Sequence, residues 1–196
     1  MTLLFVDCCI SQRGRDSRTR RLAEAYLEAV RRAHPEVRVE TVNLEKLELL
    51  PLDQKTLDRR DGLAMAGEFS DPLFEQARRF QEADRIVVAA PFWDLSFPAV
   101  LRIYMEHISA NGLSYHYDEQ GCHGDCRAEQ LVYLTTGGDF QRENSLGVLY
   151  WQQLCAMFGI DRYDYVFAGG LDAVPEQAEG ILAEACEKAA RLANDL

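Results

Sequence analysis

The chain has no apolar stretch long enough to span a bilayer and is short of basic residues, with 21 Lys and Arg against 32 Asp and Glu and a formal charge of −11. The first lack excludes a transmembrane helix. The second disfavours a general role on nucleic acid or an anionic membrane, which long-range repulsion would oppose. The start, Met1-Thr2-Leu3-Leu4-Phe5-Val6-Asp7, lacks the charged opening and cleavage region of a secretory signal, so a cytoplasmic protein is expected. There is no Gly-x-Gly-x-x-Gly and no Walker lysine motif, so dinucleotide-fold and nucleoside-triphosphatase readings lose support. Six cysteines, at 8, 9, 122, 126, 155 and 186, lack the density of a secreted disulfide framework and are expected as thiols. With no repeat and no low-complexity linker, the 196 residues are expected to form a single domain over 1–196, with a core that needs neither disulfide nor metal.

What is present is an alternation of buried strands and amphipathic helices. Residues 2 to 7 read as a strand and Ser17 to His34 as a helix with Leu22, Tyr26, Leu27 and Val30 on one face; Val37 to Val42 reads as a second, more exposed strand. This β-α-β opening implies a parallel crossover. Asn43 to Ser70 reads as a long excursion with short helices, and 71 to 83 as a helix opening on Asp71-Pro72. A strand is expected at 85 to 90, a helix from Pro98 to about Ala110, and an extended arm at Leu113 to Tyr117 with a loop through Cys126. A strand at Leu131 to Thr135, a helix from Ser145 to Gly159, a strand through Tyr165 to Ala168 and a helix from Pro175 to Asn194 complete the chain. The expected fold class is α/β with five parallel strands and helices on both faces, and a flavodoxin-like three-layer fold would set the strands in the order 2-1-3-4-5.

In that order the loops after strands one, three and four meet at one end of the sheet. The first, from Cys9 through Gln12 to Leu22, places Ser17 and Thr19 at the start of a helix among arginines. Unpaired amides and the helix dipole there suit a phosphate, although Ser17 would serve equally as a plain cap. The second, Pro91-Phe92-Trp93-Asp94-Leu95-Ser96-Phe97 before Pro98, presents aromatic rings that either face a ligand or cap the core. The third, Thr135-Thr136-Gly137-Gly138, offers hydroxyls and close backbone approach. A phosphate pocket opposite flat rings describes a site for a planar phosphorylated ring such as FMN, which needs orientation from the protein more than acid–base help. No catalytic side chain is therefore assigned.

These motifs, with Arg21-Leu22-Ala23 and Gly112-Leu113-Ser114-Tyr115-His116-Tyr117, resemble those of the FMN-dependent NADH:quinone oxidoreductase and azoreductase family, within the flavodoxin-like NAD(P)H dehydrogenases. The resemblance covers nearly the whole chain, and the Pro91 to Leu95 loop is its most specific part. It implies that Ser17, Arg18 and Thr19 hold the FMN phosphate, that Phe92 to Leu95 face the isoalloxazine, and that Thr135 to Gly138 meet its polar edge. It further implies NADH or NADPH as donor, quinone, azo or nitroaromatic compounds as acceptors, a ping-pong scheme and a homodimer. Phe97, Tyr117 and Phe140 are candidate packing surfaces for substrate. Two departures stand out: Cys9 replaces a serine frequent in the family, a weaker hydrogen-bonding group beside the phosphate, and Thr136 replaces an arginine found in some members.

Other classes remain open at this level. A flavodoxin-type carrier would bind FMN and exchange electrons only with protein partners. A thiol-based redox protein would use Cys8-Cys9 or Cys122 and Cys126. Cys122-His123-Gly124-Asp125-Cys126 offers two thiols and an imidazole but lacks the second pair of a zinc site, so no metal is assigned.

Overall fold

A computed structural model of the protein describes residues 1–11, 13–140 and 145–195. Strands β1 (Thr2–Asp7), β2 (Arg38–Asn43), β3 (Arg85–Ala89), β6 (Gln130–Thr136) and β7 (Arg162–Ala168) form a parallel sheet in the order β2-β1-β3-β6-β7, the expected 2-1-3-4-5 arrangement. The central strands are apolar along their middles, Leu3 to Val6, Ile86 to Ala89 and Leu131 to Leu134, because both their faces are covered. Alternation along β1 sends Leu3 and Phe5 toward helices α1 (Arg18–Ala33) and α6 (Ala178–Asn194). Leu4 and Val6 point the other way, into a second core with α3 (Glu75–Glu82), α4 (Ala99–Ile108) and α5 (Leu146–Phe158). Cys8 and Cys9 continue this alternation into opposite layers, so the adjacent thiols do not share a surface.

Helix α1 opens on Ser17, whose hydroxyl accepts from the Arg20 amide at 3.4 Å, and its last turn carries Arg31 and Arg32 toward the negative end of the dipole. The long excursion contains one regular helix, α2 (Gln54–Met65), capped by Asp53. None of its residues is buried; it lies on the molecule through contacts such as the Arg59–Asp71 ion pair at 2.7 Å.

The structure corrects one expectation. The segment after α4 is an antiparallel hairpin, β4 (Tyr115–Asp118) with β5 (Gly121–Gly124), in a register that sets His116 opposite His123 and Tyr117 opposite Cys122. Strands this short and polar carry little apolar alternation, and their pairing rests on the tight turn at Gly121 (φ 121°). The hairpin is fastened at both ends. Buried Ser114 donates to the Ile108 carbonyl at 2.6 Å, and the backbone of Gly124 lies against the end of α5.

That last contact yields a stability test. A Cβ at Gly124 would stand 1.9 Å from the Phe158 carbonyl carbon, backbone against backbone, whereas one on helical Gly180 meets nothing within 4 Å. Gly124→Ala is expected to lower stability by about 3 kcal/mol, and Gly180→Ala to raise it by about 0.5–1 kcal/mol. Equal thermal midpoints for the two variants would contradict this packing.

Candidate functional site

Loops following β1, β3, β6 and β7 converge at the carboxyl edge of the sheet around a cavity of about 220 Å³. The loops are tied to one another by bonds that extend the sheet ladders: Cys8 N–H donates to the Ala89 carbonyl (2.9 Å), Phe92 N–H to Thr136 (2.9 Å) and Gly137 N–H to Ala168 (2.9 Å). The cavity's position is thus dictated by the strands.

From the first loop, Cys9, Ser17, Arg18 and Thr19 line the cavity, joined by Ser11, Arg13 and Asp16; Gln12 lies outside the described residues. Ser17 is both cap and cavity wall. Its oxygen accepts from Arg20, which leaves its own proton to donate. Thr19 and Thr136 hydroxyls meet at 2.6 Å, one proton lying between them and the other left for a ligand. The arginines are arranged differently from a simple basic cluster. Arg18 donates to Asp172 at 2.7 Å, Arg20 turns back to Asp7, and Arg21 grips Glu179 at 2.9 and 2.7 Å. Among the described residues, the anion-attracting groups that remain are the hydroxyls, the amides at the start of α1 and Arg13.

From the second loop, Pro91, Phe92 and Trp93 line the cavity. Phe92 packs edge-on against Phe167 (5.3 Å between centroids), while the Trp93 ring is 43% exposed at the cavity mouth. Asp94 and Leu95 lie beyond the lining, at the tip of a turn closed by Ser96 N–H donating to the Trp93 carbonyl at 2.8 Å. Both have left-handed backbones, φ 48° and 68°. Non-glycine residues held there cost roughly 1–3 kcal/mol each and persist where surrounding structure fixes them, frequently at functional sites. Phe97 faces away, onto Tyr150 of α5.

From the third loop, Thr136, Gly137 and Gly138 line the cavity. Gly138 lies close against Asp172: a Cβ there would come within 2.4 Å of the carboxylate, so that side chain would have to shift. Thr135 points to the opposite face of the sheet, fully buried, its hydroxyl without a hydrogen-bond partner among the described residues. The structure also places Tyr117 on the hairpin against Tyr115, and Phe140 on Gly170, neither in the cavity lining. Leu171 and Asp172 are cavity residues that the sequence reading missed. Their signal was available, since they follow the fifth parallel strand as the other loops follow theirs.

The thiols are poor nucleophiles where they are buried. Burial, reinforced by the Asp7 charge, pushes Cys8 up to about 12 and Cys9 higher still. Near the cavity Cys9 is therefore a neutral wall. Among the described residues no group of three or more His, Cys, Asp or Glu side chains is placed to hold a metal ion; His123 bonds Asp118 and Cys126 points to the Ser114 carbonyl. Alkylation of the native protein at about pH 8.5, near the pKa of an ordinary thiol, is expected to label exposed Cys122 and spare Cys8, Cys9 and Cys155 until denaturant is added. Rapid native labelling of Cys8 or Cys9 would contradict their burial.

Comparison with known proteins agrees with this fold. The family model described as flavodoxin-like fold matches residues 1–193. The "FMN-dependent NADH:quinone oxidoreductase 2" of Clostridium acetobutylicum is 31% identical over 185 residues, 91% of this chain and 92% of that protein. Among solved structures, azoreductase AzrA superposes with a TM-score of 0.86 at 27% identity, and an azoreductase from Bacillus anthracis with 0.88 at 24%, each covering 100% of both chains. The chain belongs to the flavodoxin-like fold family and, within it, to the FMN-dependent NADH:quinone oxidoreductases.

Proposed function

We propose that this chain binds FMN in the cavity at the sheet's carboxyl edge and passes two electrons from NADH or NADPH to a quinone, azo or nitroaromatic acceptor in a ping-pong scheme. One observation carries the reading: a capped helix start with spare hydroxyl donors, an exposed aromatic loop and a Gly-Gly turn border the same cavity. When bound, FMN supplies a planar ring whose N5 exchanges a hydride. The residues present suit it. Ser17, Thr19 and the first amides of α1 would hold the phosphate, with Cys9 adding packing in place of a hydroxyl. Trp93 and the strained Asp94-Leu95 turn would orient the ring, and Thr136 to Gly138 would meet its polar edge through backbone and hydroxyl groups.

Size supports an exposed ring. At about 220 Å³ the cavity falls below the roughly 300–1,000 Å³ of a pocket that encloses a drug-sized ligand. It suits one end of a nucleotide-sized molecule and leaves the rest at the surface, where donor and acceptor can take turns. No acid or base in the cavity is required to move a proton in this account.

We further propose a homodimer. Beside the Trp93 turn an apolar groove of about 750 Å³ runs along Phe97, Leu146, Leu149 and Tyr150. Leu95 and Leu146 stand 59% and 57% exposed beside and within it. A second copy covering this face would bury those side chains and close over the ring. The six free thiols and the absence, among the described residues, of a helix able to cross a membrane are compatible with a cytoplasmic protein.

Steady-state oxidation of NADH by the FMN-loaded protein with a soluble quinone and no added reductase tests the enzyme against the carrier. Turnover is expected, with parallel lines in double-reciprocal plots. Ser17→Ala with Thr19→Ala should weaken FMN binding on the order of tenfold, the loss of about two hydrogen bonds, and Trp93→Ala should change turnover more than FMN affinity. A flavin-loaded protein that oxidises NADH only when a protein reductase is added would overturn the proposal.

A further inference from the structure

We infer that Asp7 and Arg20 are positioning residues for the anion end of the cavity, an inference that rests on the flavin reading. The loop that enters the cavity leaves β1 at Cys8 and reaches α1 at Ser17, and one residue joins its two ends, by its side chain to one and its backbone amide to the other. Arg20 Nη2 donates to the Cys9 carbonyl at 3.0 Å, while the Arg20 amide donates to Ser17 Oγ at 3.4 Å. From the other side, Asp7 Oδ1 accepts the Cys9 N–H at 2.9 Å and Oδ2 accepts from Asn43 at 3.2 Å. Both polar backbone groups of Cys9, a cavity-lining residue, are thus held by side chains lying behind the cavity wall.

The pair is poorly built as a stability device. Well-formed arginine–carboxylate pairs are bidentate and under about 3 Å. Here Arg20 Nη2 stands 3.6 Å from Asp7 Oδ2, and Arg20 Nε is buried without a hydrogen-bond partner among the described residues. The guanidinium takes its position from the Cys9 carbonyl. Its charge has a second effect. Asp7 is only 7% exposed, next to the loop that borders the anion position, and an uncompensated carboxylate there would repel a phosphate. Arg20 cancels that charge, while Arg18 and Arg21 are engaged with Asp172 and Glu179. Arg20 therefore prepares the site without being a phosphate ligand.

The test compares FMN with riboflavin, which has the same ring and ribityl chain but no phosphate, by quenching of flavin fluorescence on the apo-protein. Arg20→Met is expected to weaken FMN binding on the order of tenfold, the effect of one uncovered charge at short range, and to leave riboflavin within about twofold. Adding Asp7→Asn to Arg20→Met should recover most of the FMN affinity, because the amide keeps the acceptor for Cys9 and removes the charge. If Arg20→Met does not fold, Arg20→Gln carries the same comparison. Equal losses for FMN and riboflavin, or no recovery in the double variant, would overturn the inference and mark the pair as structural. A wild-type chain that binds neither flavin would instead overturn the flavin reading and this inference with it; wild-type binding with an unchanged Arg20 variant would overturn this inference alone.

Discussion

The pairing of β1 with β3 is the constraint on which the site depends. β1 is hydrogen-bonded to β2 on one side and to β3 on the other, with Asp7 opposite Asn43 and Ala89. The connection leaving β1 passes through α1 on one face of the sheet, and the connection leaving β3 passes through α4 on the other. Loops leaving adjacent strand ends therefore diverge, and a crevice opens between them. Everything that gives the cavity its chemistry is fixed by that divergence: the start of α1 on one wall, the Trp93 turn on the other, and the Thr136 to Gly138 turn between them.

A chain with a formal charge of −11 attracts an anion only through local design. The arginines near the cavity look abundant in sequence, yet Arg18, Arg20 and Arg21 each face a carboxylate. Among the described residues, the remaining attraction comes from Arg13 and from oriented dipoles, the amides of α1 and the hydroxyls of Ser17, Thr19 and Thr136. Such groups lose little to screening at close range and leave the net charge to serve solubility. They also favour an anion of defined shape over diffuse polyanions.

The sheet order and most helix positions were legible because continuous apolar strands and periodic helices are local signals. The Pro91 to Phe97 loop was legible as an aromatic strand end. Which ring went where was not, because it depends on partners distant in sequence: Phe167 takes Phe92, Tyr150 takes Phe97, and only Trp93 remains at the mouth. Thr135 and Thr136 show the same limit in one dipeptide. Strand alternation sends one hydroxyl into the cavity and the other to the far face, and the loop-based reading grouped both. The hairpin was missed because four-residue polar strands lack periodicity, and Leu171 and Asp172 because the fifth strand end was not included among the loops. The arginines' pairing with Asp7, Asp172 and Glu179 spans up to 158 residues and has no local trace.

A flavin site formed by these loops has a spectroscopic signature. Such a site is tested most directly by the visible absorption spectrum of the purified chain after incubation with FMN and removal of free ligand by gel filtration. Flavin absorbance is expected to coelute with the protein at about one FMN per chain, its bands altered by the Trp93 environment relative to free flavin. A colourless protein fraction, with all the flavin eluting as free ligand, would contradict it.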